Sequence, residues 1–335
     1  MGKLRLMSES SVTKPAPVRR KLSAGPLSRG DKWFFRTTSI AASFAFVLVA
    51  LVLIFLSLKA LPALQNQGID FIFGNVWDAA DDTNLIMQIG PMLWGSLLIA
   101  LIGVLIATPM AISMAYMIVF MLNSRLAKVA TTLVDLLAAL PSVIIGLWGF
   151  YVFTPVADQW ASILNKYLGW IPIFQVENPE YGFRGSPFIA GWIVAVMIVP
   201  IITSITREIF SQLDKDLING ALALGGSRLS VFRKVILPTA SGGVVGGVLL
   251  GLGRAIGETV AIFYVLQISF DINLGQVLET RGGAVASWIL ARFGEATANE
   301  QSGLMAAGLV LFIITLIINS IANVIVNRAQ PWRKD

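Results

Sequence analysis

The sequence predicts an all-α integral membrane protein with six transmembrane helices, a helical loop on the cytoplasmic side before the fifth, and both termini cytoplasmic. Three observations carry this reading. Hydrophobic residues make up 56% of the chain and charged residues only 13%, about half the charged share usual in soluble domains. Several stretches exceed the roughly 18 uncharged apolar residues that mark a membrane helix. The basic residues between those stretches fall on one side of the bilayer when six crossings are counted.

Residues 1–33 carry Lys3, Arg5, Lys14, Arg19, Arg20, Lys21, Arg29 and Lys32 against Glu9 and Asp31, which accounts for the whole net charge of +6. The basic excess is therefore one tail rather than a nucleic-acid-binding face, and no nucleic-acid partner is expected. Its Ser, Pro and charge content predicts a disordered basic cytoplasmic tail that orients the first helix at the lipid surface. An arm that binds lipid or a partner is the other reading. Ser39–Leu58 is a run of 20 uncharged residues, longer than a cleaved signal peptide's core, and places a first transmembrane helix at 34–62.

A polar stretch follows, ending in the acidic run Trp77-Asp78-Ala79-Ala80-Asp81-Asp82, after which the chain is uncharged from Thr83 to Ser124. That run reads as one long crossing kinked at Pro109, a break membrane helices tolerate. With a single crossing there, Arg125, Lys128, Arg207, Arg228, Arg233, Lys234, Arg328, Arg333 and Lys334 all fall inside. Splitting it at Pro109 would send the later basic groups outside, against the positive-inside rule. Residues 83–92 are expected to form an external or interfacial entry segment. The later crossings are expected within Val129–Ala157, Ser186–Thr206, Thr239–Phe270 and Gly303–Asn327, with loops 158–185 and 271–302 outside. Residues 83–330 thus form a core of five transmembrane helices, and 331–335 a cytoplasmic end. No internal repeat of the inverted-transporter kind is visible.

The chain has no Cys and no His. Disulfides, thiolate or imidazole metal ligation and nearly all His-based acid–base chemistry are thereby excluded. No Asp/Glu cluster has ligand spacing, so no metal site and no catalytic residue is assigned. There is no Gly-Lys-Ser/Thr phosphate loop; if ATP drives this protein, another subunit binds it.

Two places carry chemistry. The cytoplasmic segment 207–238 has Leu213, Leu217, Ala221 and Leu224 at helical spacing, a break at Gly225-Gly226, and Leu229, Phe232, Val235 and Ile236 resuming the pattern. It predicts two short amphipathic helices hinged at the glycine pair, with Pro238 ahead of the next membrane helix; either a lipid surface or a partner protein suits such a hairpin. Second, the fifth membrane helix carries Arg254, sixteen residues after Pro238 and sixteen before Phe270, near mid-membrane, and Glu258 four residues on. Helical spacing puts both on one face. An Arg at that depth costs at least about 2.5–3.5 kcal/mol, so it faces a partner or a water-filled path. The two readings are an ion pair locking the bundle and an anion-transfer site in which Glu258 weakens the trap enough for release. Glycines from Gly242 to Gly257 form overlapping small-xxx-small pairs suited to close helix packing. Asp135, about 10 Å deep in the third helix, is read as structural or gate-related, and Pro141 with it.

The stretch Asn219-Gly220-Ala221-Leu222-Ala223-Leu224-Gly225, nine residues, then Val235-Ile236-Leu237-Pro238 resembles the coupling-loop signature of ABC importer permeases. That family's pattern is Glu-Ala-Ala, three residues, Gly, nine residues, Ile, any residue, Leu-Pro. Ala221, Gly225, Leu237 and Pro238 match; Asn219 replaces the Glu, Gly220 an Ala and Val235 an Ile. The segment from Leu250 to Thr259, the segment Asp135–Ser142 with Gly146, and Trp77-Asp78-Ala79 resemble the phosphate-specific importer permeases of the PstC/PstA family. The last of these, with the long basic tail and residues 295–303, favours the C-type subunit. The resemblance runs from about residue 35 to 328. It implies a heterodimer with a PstA-like permease, two copies of a PstB-like ATPase docked on the 207–238 coupling loop, and an external PstS-like phosphate-binding protein. It implies that ATP and Mg are used by that ATPase, with no cofactor on this chain, and a location in the bacterial plasma membrane. A permease for sulfate, molybdate or a phosphonate remains open on the physics of Arg254 and Glu258, as does a secondary anion carrier or channel.

Overall fold

The computed structural model describes residues 28–79 and 85–328. The basic tail up to Leu27, Asp81 and Asp82, and the end segment 331–335 lie outside the described residues. The chain divides into two compact units, residues 1–52 and 53–335. The described part of the first is a helix whose side chains are exposed at every position but Ala50. Such an apolar, unpacked helix is stable only against lipid or another subunit. It is opened by a reciprocal cap: Ser28 Oγ accepts from Asp31 N and Asp31 Oδ2 accepts from Ser28 N, both at 3.1 Å. The helix continues into the second unit: α1 spans Arg29–Gln67, longer at each end than the 34–62 expected, and its Ala60 and Ala63 are buried there. Charge near a helix end does not stop a helix; the stop is Gly68, with φ +57°.

The second unit holds the rest. A short turn of helix α2 (Asp70–Phe73) leads to an antiparallel pair, β1 (Trp77–Asp78) and β2 (Ile86–Met87), with Trp77 opposite Met87. The entry segment 83–92 is thus partly a strand, which uncharged apolar sequence alone does not distinguish from helix. Helix α3 (Gly90–Tyr116), closed by a π turn Met117–Met121, passes through Pro109 without interruption. The uncharged run is one crossing, as expected.

The third crossing is where the expectation needs correction. Val129–Ala157 is not one straight helix. It is α4 (Ser124–Ala138), α5 (Ser142–Trp148) and α6 (Thr154–Leu168), α5 joining α6 through a π turn, with a 94° bend between α4 and the α5–α6 arm. Pro141 is the cause: it occupies the N-cap of α5 in extended conformation, and a proline both lacks a donor and pushes Leu140 out of helical geometry. Among the described residues five helices are long and apolar enough to cross a membrane, and this bent pair makes a sixth. The remaining elements are α7 (Pro187–Ser211), α8 (Lys215–Ala223), α9 (Arg228–Val231), α10 (Leu237–Ile256), α11 (Val260–Val265), α12 (Val285–Arg292) and α13 (Ala298–Arg328).

The centre of the unit is α7, two-thirds buried along its most apolar stretch, packed between α3 and α10. Small residues set the spacing. Gly191 of α7 lies directly on Ile102 of α3. On α10, a methyl at Gly247 would stand 3.1 Å from Ile205 and one at Gly251 3.0 Å from Ile202. The glycine series 243, 247, 251 is therefore the α7-facing seam, whereas Gly246 is exposed with nothing near it. Of the expected small-residue pairs, those on this seam make close contact. Gly247→Leu should wedge α10 off α7 and destabilise the full chain in detergent by roughly 1–3 kcal/mol, the usual cost of overpacking. Gly246→Leu should leave the melting temperature of the isolated chain nearly unchanged. Equal shifts for the two would contradict this seam.

Candidate functional site

Helix α10 presents three faces. One packs on α7. A second meets α13, where Asn319 Nδ2 lies 3.6 Å from the position a methyl on Gly253 would take. The third is bare: Gly246, Leu250 and Arg254 follow one another at four-residue spacing and are all exposed. Arg254 makes no hydrogen bond or ion pair with any described residue. A cation on an otherwise apolar, uncovered face of a membrane helix is tolerable only toward water or another subunit.

Glu258 is not where helical spacing put it. Helix α10 ends at Ile256, Gly257 caps it, and α11 begins only at Val260. The 100° per residue that would stack Glu258 on Arg254 holds only within one helix, so the expected same-face pair is absent. Glu258 is buried instead, at 8% exposure, with Oε1 accepting from Ala261 N at 3.4 Å at the start of α11. Three glycines, Gly251, Gly253 and Gly257, lower the helical propensity just here. Irregular backbone at membrane depth is found where it lines protein or a water-filled cavity.

The 207–238 loop keeps its first helix and its hinge. Asp214 caps α8, which runs Lys215–Ala223 and contains Asn219, Gly220 and Ala221. Gly225 turns the chain at φ +84° with nothing within 4 Å of its α-carbon's missing methyl, so glycine is required by backbone angle rather than by space. The second expected short helix is not separate. Residues 228–256 form one continuous helical rod, α9 leading through a π turn Phe232–Ile236 into α10, with Pro238 in the first turn of α10. Pro238 follows directly on the π turn Phe232–Ile236 without interrupting the rod; membrane helices tolerate an interior proline where a local π adjustment accommodates the lost donor. The hinge is therefore a joint between α8 and the rod that carries Arg254.

Asp135 on α4 accepts from Ser204 Oγ at 3.1 Å and lies 3.8 Å from Arg207 Nη1. It ties the bent third crossing to α7 just above the loop. Pro141 touches neither Arg254 nor Glu258 in any recorded polar contact; its visible effect is the bend.

Several charged groups escaped sequence reasoning because they meet only in three dimensions. Glu300, 2% exposed, accepts from Trp77 Nε1 at 3.0 Å and from Arg292 Nε and Nη2 at 3.0 and 3.2 Å. Arg292 also lies 5.8 Å from the Trp288 ring, and Trp77, Phe270 and Trp288 pack mutually. This clasp joins the hairpin, α12 and α13. The hydrogen bond to Glu300 raises the Arg292 pKa above its ordinary value. Nearby, Arg281 pairs with Glu177, which raises its pKa too, and Glu177 N donates to the buried Glu279 at 2.8 Å. Polar residues in irregular loops give no periodic signal, and only the chain reversal brings positions 77, 292 and 300 together.

Residues 107–334 match the family model described as "Binding-protein-dependent transport system inner membrane component". The chain is 34% identical over 320 residues to the phosphate transport system permease protein PstC 2 of Mycobacterium tuberculosis, covering 95% of this chain and 98% of that protein. It is 36% identical over 306 residues to the phosphate transport system permease protein PstC of Xylella fastidiosa, covering 90% and 92%. A solved structure of a bacterial alginate ABC transporter in complex with alginate pentasaccharide-bound periplasmic protein contains a chain of similar fold, at TM-score 0.57 and 17% identity, covering 89% of this chain and 96% of that one. The family match over residues 107–334 and the likeness to PstC proteins over nearly the whole chain show that this chain belongs to the binding-protein-dependent transport system inner membrane components, and within them to the PstC-type permeases.

Proposed function

We propose that the chain is the permease subunit of an ATP-driven importer that carries inorganic phosphate into the cytoplasm. The observation that carries this reading is the likeness to phosphate transport permeases over nearly the whole chain. The chain sits in the bacterial plasma membrane with both termini cytoplasmic, the arrangement that places Arg125, Lys128, Arg207, Arg228, Arg233 and Lys234 inside. The loop-rich end, with the hairpin and α12, is then external and receives phosphate from a PstS-like binding protein. A PstA-like permease covers the bare face of α10, and the oxyanion passes between the two subunits beside Arg254. Glu258, buried at the break after α10, holds the start of α11 and lends the site negative potential without neutralising the guanidinium. ATP and Mg belong to two PstB-like ATPase subunits, docked at α8.

Through the Gly225 joint a push on α8 reaches Arg254 along one rod. From Arg228 to Arg254 this is about 39 Å at the α-helical rise. Gly225→Val forces a branched side chain into a left-handed conformation and should leave the membrane helices inserted while uncoupling them. The complex should co-purify with less ATPase, or with ATPase whose hydrolysis no longer responds to loaded binding protein. Normal substrate-stimulated hydrolysis in both Gly225→Val and a deletion of residues 216–226 would end the coupling role. Phosphate itself is tested by reconstituting the co-purified complex and measuring uptake of labelled phosphate against sulfate and molybdate. Faster transport of either rival would make this a permease for another oxyanion.

A further inference from the structure

A cleft of 370 Å³ opens beside the outer end of α11, lined among others by Tyr151, Thr154, Arg184, Tyr264 and Gln267. It is some distance from the Arg254 site: Tyr264 lies about 6 Å along α11 from the helix start that Glu258 holds. The backbone around Arg184 is held from three sides. Phe183 N donates to Asp158 Oδ1 at 2.8 Å, Thr280 Oγ1 donates to the Arg184 carbonyl at 3.3 Å, and Gln267 N donates to the Gly185 carbonyl at 3.3 Å. Gly185 sits at φ +85°, its missing methyl occupied by Gln267. The Arg184 side chain, by contrast, is 67% exposed, and its one ion pair among the described residues, with Asp158, is 3.8 Å long. A pair of that length and exposure contributes little to stability. The fold thus fixes the base of Arg184 and leaves its donors available.

We infer that this cleft is a second, low-affinity oxyanion site, an external way station that takes a protonated tetrahedral anion such as hydrogen phosphate before it reaches Arg254. The inference rests on the phosphate-import reading. Arg184 supplies a planar fork of donors suited to two oxygens of the anion. Tyr151 and Tyr264 carry phenol donors at the rim. Thr154 donates its hydroxyl proton to the Gly149 carbonyl at 2.9 Å, so its oxygen remains an acceptor, and the Gln267 side chain adds another. Those acceptors suit an anion that bears its own O–H, which sulfate at neutral pH lacks. Asp158 opposes the anion at short range and keeps it from being trapped, as a transfer step requires.

The test uses the assembled importer in proteoliposomes. Arg184 and Arg254 are followed by mass spectrometry during external phenylglyoxal modification, with phosphate, sulfate or chloride at equal ionic strength. Phosphate should slow modification of Arg184 about tenfold at ten times its half-protecting concentration, by mass action, with sulfate weaker and chloride without effect. Asp158→Asn keeps the acceptor for Phe183 N but removes the charge, and should lower the half-protecting phosphate concentration several-fold. If the Arg184–Asp158 pair served only to hold the loop, Asp158→Asn would expose Arg184 to faster modification and phosphate would not protect it, which overturns the inference. Equal rates in phosphate and chloride alongside normal phosphate uptake would refute the cleft alone. Protection of Arg184 in an importer that moves no phosphate would uphold the cleft and refute the import reading. Arg184→Gln should cut initial uptake several-fold with Arg184→Lys intermediate, while the amount of inserted complex is unchanged; full uptake in Arg184→Gln would show that the anion bypasses the cleft.

Discussion

Replacement of Arg254 by Gln is expected to lower ATP-driven phosphate uptake by on the order of a hundredfold or more, the scale on which a water-excluded site loses a single oxyanion partner. The permease itself should stay folded. Arg254 is exposed on the bare face of α10 and bonds to nothing described, so its removal leaves no buried group without a partner. Uptake and complex recovery are therefore expected to separate, and proteoliposome transport with a matched detergent melting curve measures both. Lys should restore little, because a point charge does not reproduce the planar fork. The break after Ile256 adds a second expectation. Had Arg254 and Glu258 formed a buried pair, removing one would cost more than removing both. With the two on separate helices, the stability effects of Arg254→Leu and Glu258→Leu should add within about 0.5 kcal/mol. Wild-type uptake by the Gln variant would rule out a transfer role, and strong non-additivity would show that the two meet in another conformation.

Glu300→Ala is expected to be the most destabilising single change at the loop-rich end, by roughly 2–4 kcal/mol. The carboxylate is buried and accepts three hydrogen bonds, from Trp77 and twice from Arg292. Truncation strands the Trp77 indole N–H and leaves the Arg292 guanidinium, itself about one-third exposed, without its partner. Gly303, one turn further along α13, has Met87 and the Trp77 ring against its backbone, so loosening the clasp frees the hairpin as well. Glu300→Gln retains an acceptor for Trp77 and should lose about half as much. The readout is thermal unfolding of the full chain in detergent, together with limited proteolysis between residues 79 and 85. An unchanged melting temperature for Glu300→Ala would mean that the clasp holds nothing.

The parts of this protein that are legible along the chain are those set by local transfer energy and backbone chemistry. The uncharged stretch from Gly90 to Met121 must be satisfied by its own hydrogen bonds in lipid, so it becomes a helix despite Pro109. Gly225 was identifiable because a left-handed turn excludes side chains, and α8 because its apolar residues repeat at helical spacing. The same reasoning failed at Pro141, where a proline that looks like the one at 109 produces a 94° bend instead. The difference lies in what surrounds each: Pro109 lies inside a helix with eleven residues buried against neighbours, whereas only Val134 of α4 is buried, so packing holds the first straight far more firmly than the second. The second amphipathic stretch of the coupling loop was legible as helix but not as the start of α10.

Sequence alone determined the membrane class, the count of crossings, the glycine hinge of the 207–238 loop and Arg254 as the cation to explain, because each follows from residue type and spacing. The tertiary structure alone decided that Arg254 stands bare while Glu258 is buried beyond a helix break, since helical periodicity says which residues share a face only while the helix continues. It alone decided that Asp135 meets Ser204 and Arg207, and that Trp77, Arg292 and Glu300 converge. Side chains separated by up to 223 positions become neighbours through helix packing, and no local pattern in a chain records that distance.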